Sequence, residues 1–301
     1  MLSFKKISVD DKDIITVFTS AGTYFNCDFA FANMCSWSFL YKSEYAIHGG
    51  FLFLRFYIND NGHRHLAYTF PVGNGDLNLA VNAIENDSES MGHPPLILGV
   101  TAESKNMLNN IFPNSFTFIA ERDYFDYIYL REDLISLKGK KLQSKRNHIN
   151  KFKKTYEYTY LPITQDITVE CMQLENIWRE ANRDSKDKET ISNEYQSMAF
   201  AMEHFDELGL VGGAIVVDGK IVAFTYGSPI NNKTFGVHVE KADTNYEGIF
   251  SVINQEFALR IPEQYVYINR EEDLGIAGLR KSKLSYNPVI LLEKYSAVKR
   301  R

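Results

Sequence analysis

The sequence predicts an α+β protein in which one unit, a mostly antiparallel sheet flanked by helices, occurs twice in tandem. Three observations lead there. Hairpin signals recur in both halves of the chain, each half runs through a glycine-containing loop into an amphipathic helix, and one basic block separates the halves. A repeated order of elements argues for duplication, and runs that read as hairpins argue for antiparallel pairing.

In the first half, DFAFANMCSWSFLY (28–41) reads as a helix packing aromatics. EYAIHGGFLFLRFYI and HRHLAYTFPV read as β runs joined by NDNG, whose Asn and Gly suit a tight turn. After the loop GNGD, LNLAVNAIEN places Leu77, Val81 and Ile84 at helical spacing. PPLILGV is a short strand, ESKNMLNNIF a short helix, and TFIAERDYFDYIYL closes the half with strand-like runs.

The second half repeats this order. Residues 166–208 read as helical, broken by the charged loop NRDSKDKET. GGAIVVDGKIVAFTYGSPI is a hairpin turning at Asp218-Gly219, and TFGVHVEKAD is a further strand. TNYEGIFSVINQEFALRI sets Ile249, Ile253, Phe257 and Ile261 on one helical face. YVYINR, GIAGLRKSKLSY and PVILLEKYSAV follow as strand, short helix and terminal strand. The domains expected are 1–137, a basic interdomain helix at 138–155, and 156–301.

The chain has 301 residues, 45% hydrophobic and 24% charged, which suits a soluble protein with a real core. No apolar run reaches the roughly 18 residues a membrane-spanning helix needs. The N-terminus MLSFKKISVDDKDIITVF lacks the apolar core of a secretory signal. Cys27, Cys35 and Cys171 are odd in number and widely spaced, so buried free thiols in a reducing cytoplasm are expected. His63 and His65 find no third ligand in the pattern, and no metal site is expected.

The basic block is KGKKLQSKRNHINKFKK, residues 138–154. Eight of its seventeen residues are Lys or Arg and none is acidic, in a chain with 33 basic and 38 acidic residues. As a helix it puts Leu142, Ile149 and Phe152 on one stripe. Lys145 falls inside that stripe, Arg146 and Lys153 border it, and Asn147, Lys151 and Lys154 point away. Three readings stay open: a linker helix with solvated lysines, an anion site for polyphosphate or nucleic-acid backbone, or contact with anionic lipid.

KLQSKRNHINKF, YINREEDLGIAGLRKSKLSYNPVILLEKY and FAFANMCSWSFLY together resemble a bacterial family of soluble proteins related to the C-terminal catalytic domain of phosphatidylglycerol lysyltransferase. The resemblance covers nearly the whole chain. It implies two tandem acetyltransferase-like (GNAT) folds, as in the Fem-type peptidyltransferases, and transfer of an aminoacyl group from charged tRNA to a lipid or peptidoglycan amine. It also implies a substrate-facing lysine in a K-x-x-x-x-P pattern, matched by Lys283 and Pro288. The lipid-modifying relatives carry a membrane-spanning part ahead of this domain. No such segment stands in this sequence, which leaves the acceptor open among small molecule, lipid and peptide.

Direct attack of an amine or hydroxyl on an activated ester needs a base and oxyanion donors but no covalent nucleophile. The sequence has no G-x-S-x-G elbow. Glu240, Asp273 and Lys283 are the catalytic candidates. Lys145, Arg146, Asn147, His238, Asn245, Asn269, Arg280 and Tyr286 are the substrate-binding candidates. His238 and Glu240 alternate along VHVE and are expected on one strand face. Asn245, Tyr246 and Gly248 open a helix whose N–H groups suit an anion. Among Glu271, Glu272, Arg280 and Lys281, a plain surface salt-bridge set is the competing reading. No cofactor is expected to be required, and the donor is aminoacyl-tRNA or acyl-coenzyme A. An acyl-coenzyme A-dependent N-acyltransferase and a non-catalytic binding module on the same scaffold remain the alternatives.

Overall fold

The computed structural model describes residues 2–60, 62–181 and 188–300. The chain begins with β1 (Lys5–Lys6), α1 (Lys12–Ser20), α2 (Phe31–Ser36) and α3 (Ser38–Tyr41). It continues through β2 (Glu44–His48), β3 (Phe51–Asp60), β4 (His63–Thr69), β5 (Val72–Gly73), α4 (Leu77–Ser90), β6 (Leu96–Val100), α5 (Ala102–Ile111), β7 (Phe116–Ala120) and β8 (Asp126–Leu130). Helices α6 (Arg131–Ser136) and α7 (Gln143–Thr155) lead into β9 (Tyr158–Pro162), α8 (Thr168–Ala181), α9 (Lys188–Glu203), β10 (Val211–Val217), β11 (Lys220–Pro229) and β12 (Thr234–Ala242). Last come α10 (Ile249–Arg260), β13 (Tyr267–Asn269), α11 (Ala277–Leu284), β14 (Ile290–Leu292) and β15 (Tyr295–Lys299).

Most elements fall where local chemistry put them. Asp218 and Gly219 take φ of 49° and 73°, the left-handed pair a two-residue hairpin requires. Ile249, Ile253, Phe257 and Ile261 are all buried. Of the charged loop NRDSKDKET, residues 182–187 lie outside the described residues, and Lys188–Thr190 already belong to α9. The run EYAIHGGFLFLRFYI is two strands, since Gly49 and Gly50 turn the chain with φ of 57° and 83°.

The strands form two sheets, β1-β2-β3-β4-β6-β15-β7 with β5 beside β3, and β14-β8-β13-β12-β11-β10-β9. Pairing is antiparallel except between β4 and β6 and between β12 and β13. Those two parallel pairs occupy matching places, each joined by a crossover helix, α4 or α10. The duplicated order is therefore real in three dimensions.

A linear division at 137/156 does not separate the sheets. Strand β15, from the end of the chain, inserts between β6 and β7 of the first sheet. Strand β8, from the first half, inserts between β13 and β14 of the second. Each half thus lends a strand to the other, and PVILLEKYSAV is not one terminal strand but two short strands in different sheets. A buried ion cluster pins the exchange. Lys294, between β14 and β15, lies 2.9 Å from Asp126 at the start of β8 and 3.1 Å from Asp28, and it also pairs with Glu272. A shared apolar core joins the halves as well: Ile15, Phe31 and Met34 pack in one cluster with Met198, Ala201 and Phe205.

The basic block forms α7 as its periodicity indicates. Leu142, Ile149 and Phe152 are buried in the core under the second sheet, with Val252 and Phe257 of α10. Burial of such side chains is worth about 1.5–3 kcal/mol each, enough to seat a helix whose other residues are polar.

Candidate active site

Strands β12 and β13 pair only over Thr234–Gly236 and Tyr267–Asn269. Beyond that point β12 runs on to Ala242, whereas the chain after Asn269 bends away, with Glu271 and Leu274 at φ of 58° and 51°. The parallel pair splays, and His238, Glu240, Arg270 and Glu271 all lie just past the last shared register. Of the polar residues singled out in the second half, His238, Glu240 and Glu271 lie at this opening.

A bulge sorts them onto two faces. Register slips between Tyr226 and Gly227, which pair with Val239 and Val237 and leave His238 extra. A Cβ on Gly227 would lie 1.9 Å from the Gly236 carbonyl oxygen, so only glycine allows that approach. The alternation breaks here. Val237 packs on the α10 side, and Val239 packs on the α8–α9 side. His238 and Glu240 therefore face opposite sides of the sheet, contrary to the shared face read from VHVE.

On the α10 side, Glu240 accepts from Arg270 Nη2 at 3.0 Å and from Asn254 Nδ2 at 3.3 Å. The Tyr286 ring lies 4.1 Å from Lys145 Nζ and 5.0 Å from the Arg270 guanidinium carbon. Lys145 is half-buried; burial, together with the charge of Arg270, lowers its pKa, against the pull of Glu240. Helix α7 thus brings one lysine from within its apolar stripe to the Tyr286 ring, where it feels the charges of Arg270 and Glu240.

On the opposite face, His238 sits in a hydrogen-bonded row. Its Nε2 is 2.7 Å from Ser228 Oγ and its Nδ1 2.7 Å from Glu271 Oε1. Asn33 of α2 also donates to Glu271, at 2.7 Å. This row borders a small pocket between α2–α3, α9 and the second sheet, lined also by Trp37, Glu194 and Tyr226.

Several predicted site residues serve the scaffold instead. Asp273 is 0% exposed and accepts from Arg122, Tyr127, the Gly275 N–H and both Arg280 Nε and Nη2. Burial alone would push its carboxyl up, but the bonds from Arg280, Tyr127 and Gly275 outweigh it and hold the group well below the usual carboxylate range. It is a poor proton acceptor. Arg280 is spent on Asp273 and Asp123. Lys283 is buried, and its ammonium donates to the carbonyls of Arg270 and Glu272; burial and the Arg270 charge lower its pKa. Its role is to brace the 270–272 turn that carries Arg270.

Asn269 is buried and fully used, donating to Phe25 O and Asp126 and accepting from the Glu271 N–H. Arg146 ties the carbonyls of Leu137 and Gly139 at the end of α6. Asn147 is exposed on α7, and Asn245 is exposed in a turn closed on Asp243. The α10 N-terminus is covered: the His148 carbonyl oxygen of α7 lies 2.6 Å from where a Cβ on Gly248 would stand. Glu271, Glu272 and Arg280 form no set among themselves, each being tied elsewhere.

Cys27, Asp28 and Glu272 bring ligand atoms within 4.8 Å of one another. The Lys294 ammonium contacts all three and supplies the positive charge a metal would bring. The three cysteines are buried and free. Among the described residues, no helix is long and apolar enough to cross a membrane.

Arg270, Asn254, Ser228, Trp37 and Lys294 were not predicted as site or anchor residues. Asn254 left a legible signal, a lone amide inside the apolar stripe of α10. The others gain meaning only from partners distant in sequence.

Two tandem GNAT-like halves define the fold class, and the polar opening at the splayed parallel pair is its candidate site. Residues 23–298 match the family described as phosphatidylglycerol lysyltransferase, C-terminal, and the chain belongs to that family. A conserved protein of unknown function from Bacteroides thetaiotaomicron is similar in its crystal structure, with 50% identity, a TM-score of 0.96 and full coverage of both chains. The C-terminal domain of a putative lysylphosphatidylglycerol synthetase from Agrobacterium fabrum shares the fold at 13% identity, with a TM-score of 0.69 over 98% of this chain and 93% of that one. An uncharacterized protein of Mycoplasmoides gallisepticum is 28% identical over 171 residues, 56% of this chain and 54% of its own. The chain thus spans about half the length of that curated relative.

Proposed function

We propose that this chain transfers an aminoacyl group from a charged tRNA to an amine or hydroxyl acceptor. Membership in a lysyltransferase family supports aminoacyl transfer. The observation that favours tRNA over a coenzyme A thioester as donor is the seat of α7. Phosphates bind the free N–H groups at helix N-termini, and at α10 that end is covered by the His148 carbonyl. At α4 the Asp76 carboxylate accepts from the first free N–H groups. The basic block turns Lys138 and Lys140, just before α7, and Lys154, on it, to solvent, a surface suited to a phosphate backbone.

In this reading the acceptor attacks the ester carbonyl carbon and the bond to the ribose oxygen breaks. The proton of the attacking group passes to Glu240 and then to the leaving oxygen, and no cofactor takes part. Asp273 drops out as the acid–base group.

The test is charged-tRNA binding across salt concentrations, for the native chain and a Lys138→Glu/Lys140→Glu/Lys154→Glu variant that leaves the structural Arg146 intact. Salt-sensitive binding lost in the variant, with transfer activity reduced about 10²–10⁴-fold by Glu240→Gln, supports the proposal. Binding of coenzyme A thioesters without tRNA overturns the donor. Binding without turnover for any acceptor overturns the enzyme.

A further inference from the structure

A serine, a histidine and a glutamate stand in line on the sheet face opposite Glu240. Ser228 Oγ is 2.7 Å from His238 Nε2, and His238 Nδ1 is 2.7 Å from Glu271 Oε1. The Glu271 carboxylate only accepts, so Nδ1 carries the ring proton and Nε2 is left to accept from the serine hydroxyl. Asn33 holds the same Glu271 oxygen at 2.7 Å, and the Glu271 N–H donates to Asn269. His238 is the bulged residue of β12, and Gly236 is the register partner of Ser228. A Cβ on Gly236 would lie 3.0 Å from His238 Cε1, so glycine there leaves room for the imidazole to reach Ser228. A bulge, a glycine and a left-handed glutamate, Glu271 at φ 58°, converge on this one alignment.

Ser228 also lines a cavity of about 250 Å³ between α1 and the end of β11, with Lys12, Thr16, Phe31, Gly209 and Asn231. An apolar cavity of about 150 Å³ holds benzene, so this one has room for a small ester. Lys12 puts a cation on its wall. A Cβ on Gly209 would collide with the Lys12 ammonium, and among the described residues that ammonium has no carboxylate partner. A hydroxyl, a base and an orienting carboxylate in hydrogen-bonded sequence are what nucleophilic attack by serine requires.

We infer that Ser228, His238 and Glu271 form a second site, which hydrolyses small carboxylic esters that carry a negative charge. Ser228 Oγ attacks the acyl carbon and its proton passes to His238 Nε2. That proton goes to the leaving alkoxide as the ester C–O bond breaks, and the alcohol departs. Water then attacks the acyl-serine and gives a proton to His238, which returns it to Ser228 Oγ as the acid leaves. Lys12 binds the anionic group of the ester. Ser228 and His238 are the catalytic residues, and Glu271 and Asn33 position the imidazole. None of them takes part in the aminoacyl transfer proposed above, so the two activities are tested apart.

The full chain is incubated with 4-acetoxybenzoate and with phenyl acetate, which lacks the carboxylate, and release of the phenol is followed by chromatography. The charged ester should be hydrolysed with a kcat/KM at least about tenfold higher, and Lys12→Met should level the two. A fluorophosphonate should attach to Ser228, as mass spectrometry of peptides would report, and block hydrolysis. Ser228→Ala should abolish both hydrolysis and labelling. Glu271→Gln keeps a hydrogen bond to Nδ1 but removes the charge that stabilises the imidazolium, so kcat should fall at least about 10²-fold with KM unchanged. If Ser228→Ala does not fold, the label and Glu271→Gln decide. No turnover of either ester above the buffer rate, labelling only at another residue, or full activity in Ser228→Ala overturns the site. Equal turnover of the two esters, or an unchanged preference in Lys12→Met, overturns the anionic substrate.

Discussion

Replacing Lys294 with Met tests whether the exchanged strands are locked by charge. Lys294 is 3% exposed and meets Asp28, Asp126 and Glu272. Burial alone would lower its pKa; Asp126, Asp28 and Glu272 outweigh that and raise it well above the ordinary value. A raised ammonium contributes stability fully below the unfolded pKa, 10.5, and loses it only above the folded one. The penalty should therefore stay constant from neutral to mildly alkaline pH.

Removing one partner of a buried pair costs about 3–5 kcal/mol. Here Asp126 keeps donors in the Cys27 N–H and Asn269, each at 2.8 Å, and Asp28 is 39% exposed and can rehydrate. The lower end, about 3 kcal/mol, is expected, with a fall in Tm of roughly 5 °C. Guanidinium denaturation followed by far- and near-ultraviolet circular dichroism measures it. Lys294→Met/Glu272→Gln should regain part of the loss, because it removes one stranded charge. A loss under about 1 kcal/mol, with native cooperativity, would refute the lock.

Gly248→Ala places a Cβ 2.6 Å from the His148 carbonyl oxygen at φ +91°, so a loss of about 1–3 kcal/mol and displacement of α7, read by amide exchange along 143–155, are expected. At Asp11, burial pushes the carboxyl up, but bonds from Lys5, Tyr45 and Ser8 more than offset this and hold it at about 2. Its stability contribution should be complete above its ordinary value of 3.8 and vanish as pH falls towards 2; Asp11→Asn should abolish that acid-limb difference in denaturation curves. Burial pushes the Cys35 and Cys171 thiols up to about 12, so iodoacetamide at about pH 8 should label neither until the chain is unfolded, as mass spectrometry would report.

The sequence by itself determined what depends on neighbours along the chain. Turn residues placed the hairpins, helical spacing placed α4, α7 and α10, and the order of elements revealed the duplication. These follow from backbone conformation and side-chain periodicity, which act over a few residues. The candidate site was legible as a region, the VHVE strand, the turn after YINR and the basic helix, because polar side chains there interrupt apolar runs. Which of those side chains are free was decided only in three dimensions. Asp273 looked like a base until its carboxylate met donors from Arg122, Tyr127 and Arg280. His238 and Glu240 looked like neighbours until a bulge, formed by a strand pairing the local pattern does not encode, turned them to opposite faces. The strand exchange lay furthest from view: Cys27 and Glu272 touch across 245 positions, and no periodicity in either half states which sheet will take β8 or β15. Tertiary structure decided it, since the buried Lys294 finds its carboxylates only when each strand crosses into the other sheet.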